Sequence, residues 1–121
     1  IRWPGLTKTT DGPLEFAVQV PEKTELRVMH SSPNDQIESV RKAGKNAMRK
    51  AGNTEIAGGF IYDCICRGTI LGDDFNEALE AVSEEIEVPF TGFETYGEIC
   101  TESDEYTSYH NTASVVMLLP K

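Results

Sequence analysis

The sequence lacks any long apolar run and is short of positive charge. No stretch approaches the roughly 18 consecutive apolar residues that a membrane-spanning helix requires, and no secretory signal peptide is visible at the N-terminus. The 11 Lys and Arg residues are outnumbered by 20 Asp and Glu residues, which gives a formal net charge of -9. Because such a surface repels phosphate groups and anionic lipid, we expect neither nucleic acid nor membrane among the partners.

Cysteine and histidine are also scarce. An odd count of three cysteines in 121 residues (Cys64, Cys66 and Cys100) favours a reducing, cytoplasmic setting over a disulfide framework. Two cysteines that are two positions apart on a strand are too widely separated for one zinc ion, so we predict no metal and no cofactor. A thiol nucleophile with His110 as its base is the enzyme alternative. No Gly-rich elbow or oxyanion-hole motif supports it, and we predict that the protein is not an enzyme.

What is present suffices for one ordinary domain, because 39% of the residues are hydrophobic. Residues 1–13 carry two prolines and two glycines with little periodicity, and we interpret them as a lead-in from upstream sequence. Residues 14–121 form the predicted domain. Since the chain begins at Ile1 rather than at Met, we expect it to be part of a longer protein.

Hydrophobic periodicity predicts an order of ββαβαββ for the domain. Alternation over 14–20 and 26–30 predicts a hairpin, and the Ser31–Asp35 cap signal begins a helix that ends at Gly52. Residues 56–66 indicate a central strand buried on both faces, and a second helix follows an Asp74–Glu77 capping box. We therefore expect an α/β (α+β) domain with a mixed sheet of about five strands and two helices packed on one face. The remaining predicted segments are a strand at 92–99, a loop or wide hairpin connection at 100–110 and a final strand at 112–119.

Polar side chains concentrate on the predicted fourth strand. Alternation places Glu94, Tyr96 and Glu98 on one face of it, and Gly97 in mid-strand indicates that something approaches the backbone closely. Asp63 and Arg67 share a face at the carboxyl end of the central strand, where ligands collect in parallel α/β sheets. An arginine fork beside carboxylates suits a zwitterion, with Arg67 for its carboxylate and Glu98 or Asp63 for its ammonium group. The alternative is an internal ion pair of Arg67 that only fixes the strand ends.

Three segments resemble a known family. Phe60–Gly72 reads FIYDCICRGTILG, Val88–Ile99 reads VPFTGFETYGEI, and Tyr109–Thr112 reads YHNT. They resemble the C-terminal half of the FIST (F-box and intracellular signal transduction) domain. Cys64 and Arg67 match its C-x-x-R motif, and Glu98 lies in its GFxxYGEI motif. His110 falls in its H-N-x-T motif, although Asn111 here is followed directly by Thr112.

The resemblance implies an intracellular sensory domain, usually prokaryotic, joined to signalling output domains and to an upstream N-terminal FIST half. It also implies a small-molecule ligand such as an amino acid, and it brings no catalytic residues. We therefore predict a ligand-binding sensory domain of a cytoplasmic signal transduction protein. The predicted ligand-binding residues are Arg67, Glu98, Tyr96, Asp63, Glu94, Cys64 and His110. The alternative is a protein-interaction or scaffold domain, which would show an exposed apolar patch in place of a concave site.

Overall fold

A computed structural model describes residues 1–4, 11–16, 18–100 and 108–121. The elements in chain order are helix α1 (Pro33–Ala51), strand β1 (Ile56–Cys64), helix α2 (Ile65–Leu71), a 3-10 turn (Gly72–Asp74), helix α3 (Phe75–Ile86) and strands β2 (Phe90–Thr95), β3 (Glu98–Cys100), β4 (Ser108–His110) and β5 (Ser114–Pro120). The predicted class, a single mixed α+β domain, is confirmed. None of the helices in the described part of the chain has the length and apolar character needed to cross a membrane.

Helix α1 begins and ends where its capping residues predict. The Ser32 hydroxyl accepts a hydrogen bond from the Asp35 backbone N–H, and the Asp35 carboxylate accepts one from the Ser32 backbone N–H, so the capping box is complete. Gly52 closes the helix at φ 60°, a left-handed value that favours glycine. The α3 helix is also confirmed, but its N-cap Asp74 makes no side-chain capping bond, so the predicted capping box there is wrong.

The described strands form a three-stranded sheet in the order β2-β1-β5 and a two-stranded sheet of β3 and β4. Strand β1 is central, as predicted, and pairs parallel with β2 and antiparallel with β5. Helices α2 and α3 connect β1 to β2, which supplies the crossover that a parallel pair requires. The parallel pairing brings the carboxyl ends of β1 and β2 to the same edge of the sheet.

Helices α1 and α3 cover one face of the three-stranded sheet. Their core residues Val40, Val82 and Ile86 pack with Ile61 of β1. Gly44 brings α1 close to α3, because a Cβ atom at this position would lie 3.0 Å from Cγ2 of Val82. The prediction that two helices share one face is therefore confirmed.

The opposite face of the sheet is apolar and partly exposed, so β1 is not buried on both faces as predicted. We call this surface the open sheet face, and register places five large side chains on it: Phe60, Tyr62, Phe93, Met117 and Leu119. Phe93 is 64% exposed, and its ring meets the Tyr62 ring edge-on at a centroid distance of 5.4 Å. Apolar surface of this kind is typical of interaction sites.

The predicted N-terminal hairpin is wrong for the described residues, since 14–16 and 18–30 form no strand. A turn is present, because the Thr24 backbone N–H donates to the Pro21 carbonyl at 3.3 Å. The arms are not paired, and Val28 is fully exposed. A two-stranded hairpin is only marginally stable without a third strand or an apolar cover, and alternation alone does not supply either. In the predicted order ββαβαββ, the two strands placed before the first helix are therefore absent from the described residues.

Two predicted strands stop earlier than the sequence indicated. The central strand ends at Cys64, and Ile65–Leu71 is helical, because a short apolar run does not distinguish strand from helix. The predicted 92–99 strand is interrupted at Tyr96 and Gly97. There the Tyr109 hydroxyl donates to the Tyr96 carbonyl at 3.1 Å. The predicted connection at 100–110 joins paired strands β3 and β4, but its residues 101–107 lie outside the described part of the chain.

Gly97→Ala should destabilise the domain through the contact that interrupts this strand. A Cβ atom at position 97 would overlap the Tyr109 ring, and overpacking of this kind costs about 1–3 kcal/mol. We expect the loss in the free energy of unfolding, measured by urea denaturation, to shrink when the same change is made in a Tyr109→Ala background. An equal loss in both backgrounds would contradict the steric explanation.

Candidate functional site

A buried polar centre lies at the carboxyl end of β1. Asp63 is opposite Glu94 of β2 on one side and Ser114 of β5 on the other, and Arg67 follows within the first turns of α2. Strand β3 adds Glu98 beside it. The structure thus brings Asp63, Arg67 and Glu98 into one region, and the sheet register explains how.

Arg67 is only 1% exposed, and protein groups occupy its guanidinium. Its Nε lies 2.6 Å from Asp63 Oδ1 in an ion pair. Its Nη1 donates to the Gln36 side-chain oxygen and to Ser39 Oγ, and its Nη2 donates to the Gln36 carbonyl at 3.0 Å. These contacts tie α2 to β1 and α1. They are the arrangement expected for an internal ion pair that fixes the strand end.

Asp63 is 6% exposed and receives further support from the neighbouring strands. The Ser114 hydroxyl donates to its Oδ1, the same oxygen that pairs with Arg67. The Thr95 hydroxyl lies 3.3 Å from the Asp63 backbone carbonyl. The aspartate therefore links β2, β5 and α2 at the sheet edge.

Glu98 is 2% exposed, and one of its carboxylate oxygens has no hydrogen-bond donor. The Thr95 hydroxyl donates to Oε1 at 2.5 Å, whereas Oε2 is buried without a partner. Glu98 stands opposite His110 in the β3–β4 pair. A buried polar atom without its hydrogen bond costs about 1–3 kcal/mol, and more when it is charged, so this oxygen is a costly feature of the domain.

Two cysteines of the β1–α2 junction are buried. Cys64 is 0% exposed and Cys66 is 4% exposed. Burial raises the pKa of Cys66 to about 12, and the hydrogen bond and charge of Cys64 and the charge of Glu98 also raise it, while a hydrogen bond from Thr112 lowers it. Because a thiolate is the reactive form, Cys66 is unreactive at neutral pH. Among the described residues, no group of three His, Cys, Asp or Glu side chains could hold a metal ion.

The other predicted site residues lie at the surface. Tyr96 is 84% exposed, and Glu94 is exposed with its carboxylate resting on Gly68 of α2. Glu94 also lines an open depression of about 380 Å³ against α2 and the start of α3. Of the predicted ligand-binding residues, four are thus buried, His110 is half-buried, and two are exposed, of which Glu94 but not Tyr96 lines the depression.

The β4–β5 junction holds the third motif and the start of the chain. Asn111 is 4% exposed, its side-chain amide donates to the Tyr109 hydroxyl, and its Oδ1 accepts from the Trp3 backbone N–H at 3.4 Å. Arg2 donates to the Tyr109 carbonyl at 2.6 Å. The left-handed residue here is Thr112, at φ 54°.

Sequence reasoning missed the polar residues that complete the centre, which are Gln36, Ser39, Thr95 and Ser114. Gln36 carried a usable signal. It falls on the buried stripe of α1 with Val40 and Gly44, each four positions further on. A glutamine on an apolar stripe needs a buried partner, and Arg67 is that partner.

The family comparison agrees with the motifs. The family model described as FIST C domain matches residues 1–101, and the chain therefore belongs to the FIST C domain family, a sensory-type domain family of signal transduction. The third motif, at 110–112, lies beyond the matched residues. No curated protein and no solved structure matched the chain.

Arg67→Ala should destabilise the domain by about 3–5 kcal/mol, because it leaves the Asp63 carboxylate buried without its counter-charge. Urea denaturation followed by circular dichroism measures the change. Arg49→Ala is the control, because it removes an arginine from an exposed position of α1. Its free energy of unfolding should stay within about 0.5 kcal/mol of the parent value. A similar small effect for Arg67→Ala would show that the ion pair does not hold the centre together.

Thiol labelling should separate the cysteines. We expect iodoacetamide at pH 8 to leave Cys64 and Cys66 unmodified in the folded protein, because both are buried and the pKa of Cys66 is raised to about 12. Unfolding in urea should expose all three cysteines to the reagent, which mass spectrometry of peptides can count. Rapid labelling of Cys66 in the folded state would contradict this expectation and would support the alternative of a thiol enzyme.

Proposed function

We propose that this FIST C domain is a small-ligand-binding sensory module of a signal transduction protein, and that its ligand is an amino acid or a related small amine. The family supports a sensory role, and the polar centre at the carboxyl ends of β1 and β2 supports binding. The proposal places the ammonium group of the ligand at Glu98. Asp63, Cys64, His110, Tyr96 and Glu94 stay predicted ligand contacts in this proposal.

The observation that carries the proposal is the Oε2 atom of Glu98, which is buried without a hydrogen-bond donor. The neighbouring charged groups already have partners: Arg67 pairs with Asp63, although its Nε makes no hydrogen bond either, and Thr95 donates to the other oxygen of Glu98. An ammonium group carries three donors and a positive charge, so it supplies what this oxygen lacks. A buried polar atom without a hydrogen-bond partner is typical of binding sites.

Arg67 has a positioning role in this proposal. The prediction that it binds a ligand carboxylate stays a prediction, since its guanidinium already contacts Asp63, Gln36 and Ser39. A ligand carboxylate at Arg67 would have to displace one of these groups. Holding Asp63 and α1 in place is the role that its contacts favour.

The wider setting is also a proposal. We infer a cytoplasmic protein in which an upstream N-terminal FIST half and signalling output domains accompany this domain, as the family resemblance implies. We further propose binding without catalysis. Two physical features favour this: the pKa of Cys66 is raised to about 12, and Cys64 is 0% exposed.

A second candidate is a protein-interaction domain, and the open sheet face favours it. Phe93 is 64% exposed, and Met117 and Leu119 are about 40% exposed on the same face. A neighbouring domain that covered this face would bury their apolar surface at about 25 cal/mol per Å². The two candidates differ in whether a small molecule alone stabilises the chain.

Glu98→Gln tests the ligand proposal. A ligand at a hundred times its dissociation constant stabilises a fold by about 2.7 kcal/mol, which raises the melting temperature by several degrees. We expect a thermal-shift screen of amino acids to find such a rise in the 121-residue chain or in a longer chain that carries the upstream half. The rise should disappear in Glu98→Gln, because a neutral amide removes the counter-charge.

The matched control is Glu80→Gln, which makes the same charge change at an exposed position of α3 and should keep the full rise. Without ligand, Glu98→Gln should melt no lower than the parent, because it replaces a buried carboxylate whose Oε2 has no hydrogen-bond donor. A rise that survives in Glu98→Gln would contradict the site. No rise in either folded chain would favour the interaction domain.

A further inference from the structure

The surface depression beside α2 has a defined set of lining residues. Residues Ile65, Gly68, Thr69, Gly72, Phe75 and Glu94 line it, and its volume is about 380 Å³, within the range of small-molecule sites. The Glu94 carboxylate lies directly over Gly68, where a Cβ atom would overlap its Oε1. Only glycine at position 68 therefore allows this placement of the carboxylate.

The lining offers acceptors and an aromatic ring but no cation. None of its six residues is basic, and Glu94 forms no ion pair with any basic group in the described part of the chain. The Thr69 hydroxyl donates its proton to the Ile65 carbonyl at 3.2 Å, so its oxygen is left as an acceptor. A carboxylate, a hydroxyl oxygen and a phenyl ring together favour a positively charged guest.

The net charge of the chain also favours a positively charged guest. The chain has a formal net charge of -9, which attracts cations and repels anions at short range. Ile65 and Phe75 add apolar surface beside the carboxylate, which a bare metal ion would not use. The guest that fits both features has a cationic head and a short apolar chain.

We propose that this depression binds a small organic ammonium ion, with its nitrogen at the Glu94 carboxylate and its alkyl chain against Ile65 and Phe75. This position for an ammonium group is separate from the one proposed at Glu98, which does not line the depression, so the inference goes beyond the proposed function.

Titration of the 15N-labelled chain with butylammonium chloride tests the proposal. We expect the backbone amides of Gly68, Thr69 and Gly72 to shift in a saturable manner. Glu94→Gln should weaken binding about tenfold, since it removes a charge-assisted hydrogen bond. Phe75→Leu, which keeps the apolar volume, should weaken it about two- to fivefold through loss of the cation–π contact. Gly68→Ala should also weaken binding, because the new methyl group displaces the Glu94 carboxylate.

Glu77→Gln is the matched control, because it makes the same charge change at an exposed α3 position outside the lining, and it should bind as the parent does. Neutral butanol should not produce the shifts. Equal shifts with butanol, equal weakening in Glu94→Gln and Glu77→Gln, or no saturable shift would each overturn the proposal. Failure here with an intact Glu98-dependent thermal shift would leave the proposed function standing, and the reverse result would refute only that function.

Discussion

The buried ion pair between Asp63 and Arg67 is the constraint on which the rest of this structure depends. A guanidinium that is 1% exposed has left water at a cost of several kcal/mol. The protein offsets that cost only if α1 places Gln36 and Ser39 within hydrogen-bond distance of the guanidinium. It also requires that α2 begin directly after β1. The position of the Ser32 cap on α1 is thus part of the same arrangement, because it sets where Gln36 lies.

The glycines of the family motifs have steric roles that are separate from ligand chemistry. A Cβ atom at Gly92 would overlap the backbone of Ile61, and one at Gly68 would overlap Glu94. Each glycine permits a close approach between elements that meet at the carboxyl end of β1. Packing does not explain Glu98 in the same way, since one oxygen of this buried acid accepts from Thr95 but the other has no hydrogen-bond donor and adds cost.

The sequence predicted those features that local chemistry determines. Ser32 and Gly52 set the ends of α1, and continuous apolar runs located the central and final strands. Prediction from the sequence failed where a tertiary contact decides the secondary structure. The break at Gly97 depends on the Tyr109 ring, and the helical state of Ile65–Leu71 depends on burying Arg67 against α1. For the site, the types of residue were predictable, but only the fold places Arg67 inside and Glu94 outside.

Thr95 connects two residues of the buried polar centre, Glu98 and Asp63. A hydroxyl group donates one proton, yet Thr95 Oγ1 lies 2.5 Å from Glu98 Oε1 and 3.3 Å from the Asp63 carbonyl. Glu98 therefore competes with the β1 backbone for that proton. A cationic donor that binds Glu98 would weaken the hydrogen bond from the Thr95 hydroxyl to Glu98. The hydrogen bond from Thr95 of β2 to the Asp63 carbonyl of β1 would then become stronger. The strand affected is the one that carries Phe93 on the open sheet face. Occupancy of the buried acid would thus alter the strand on which an interaction partner would rest.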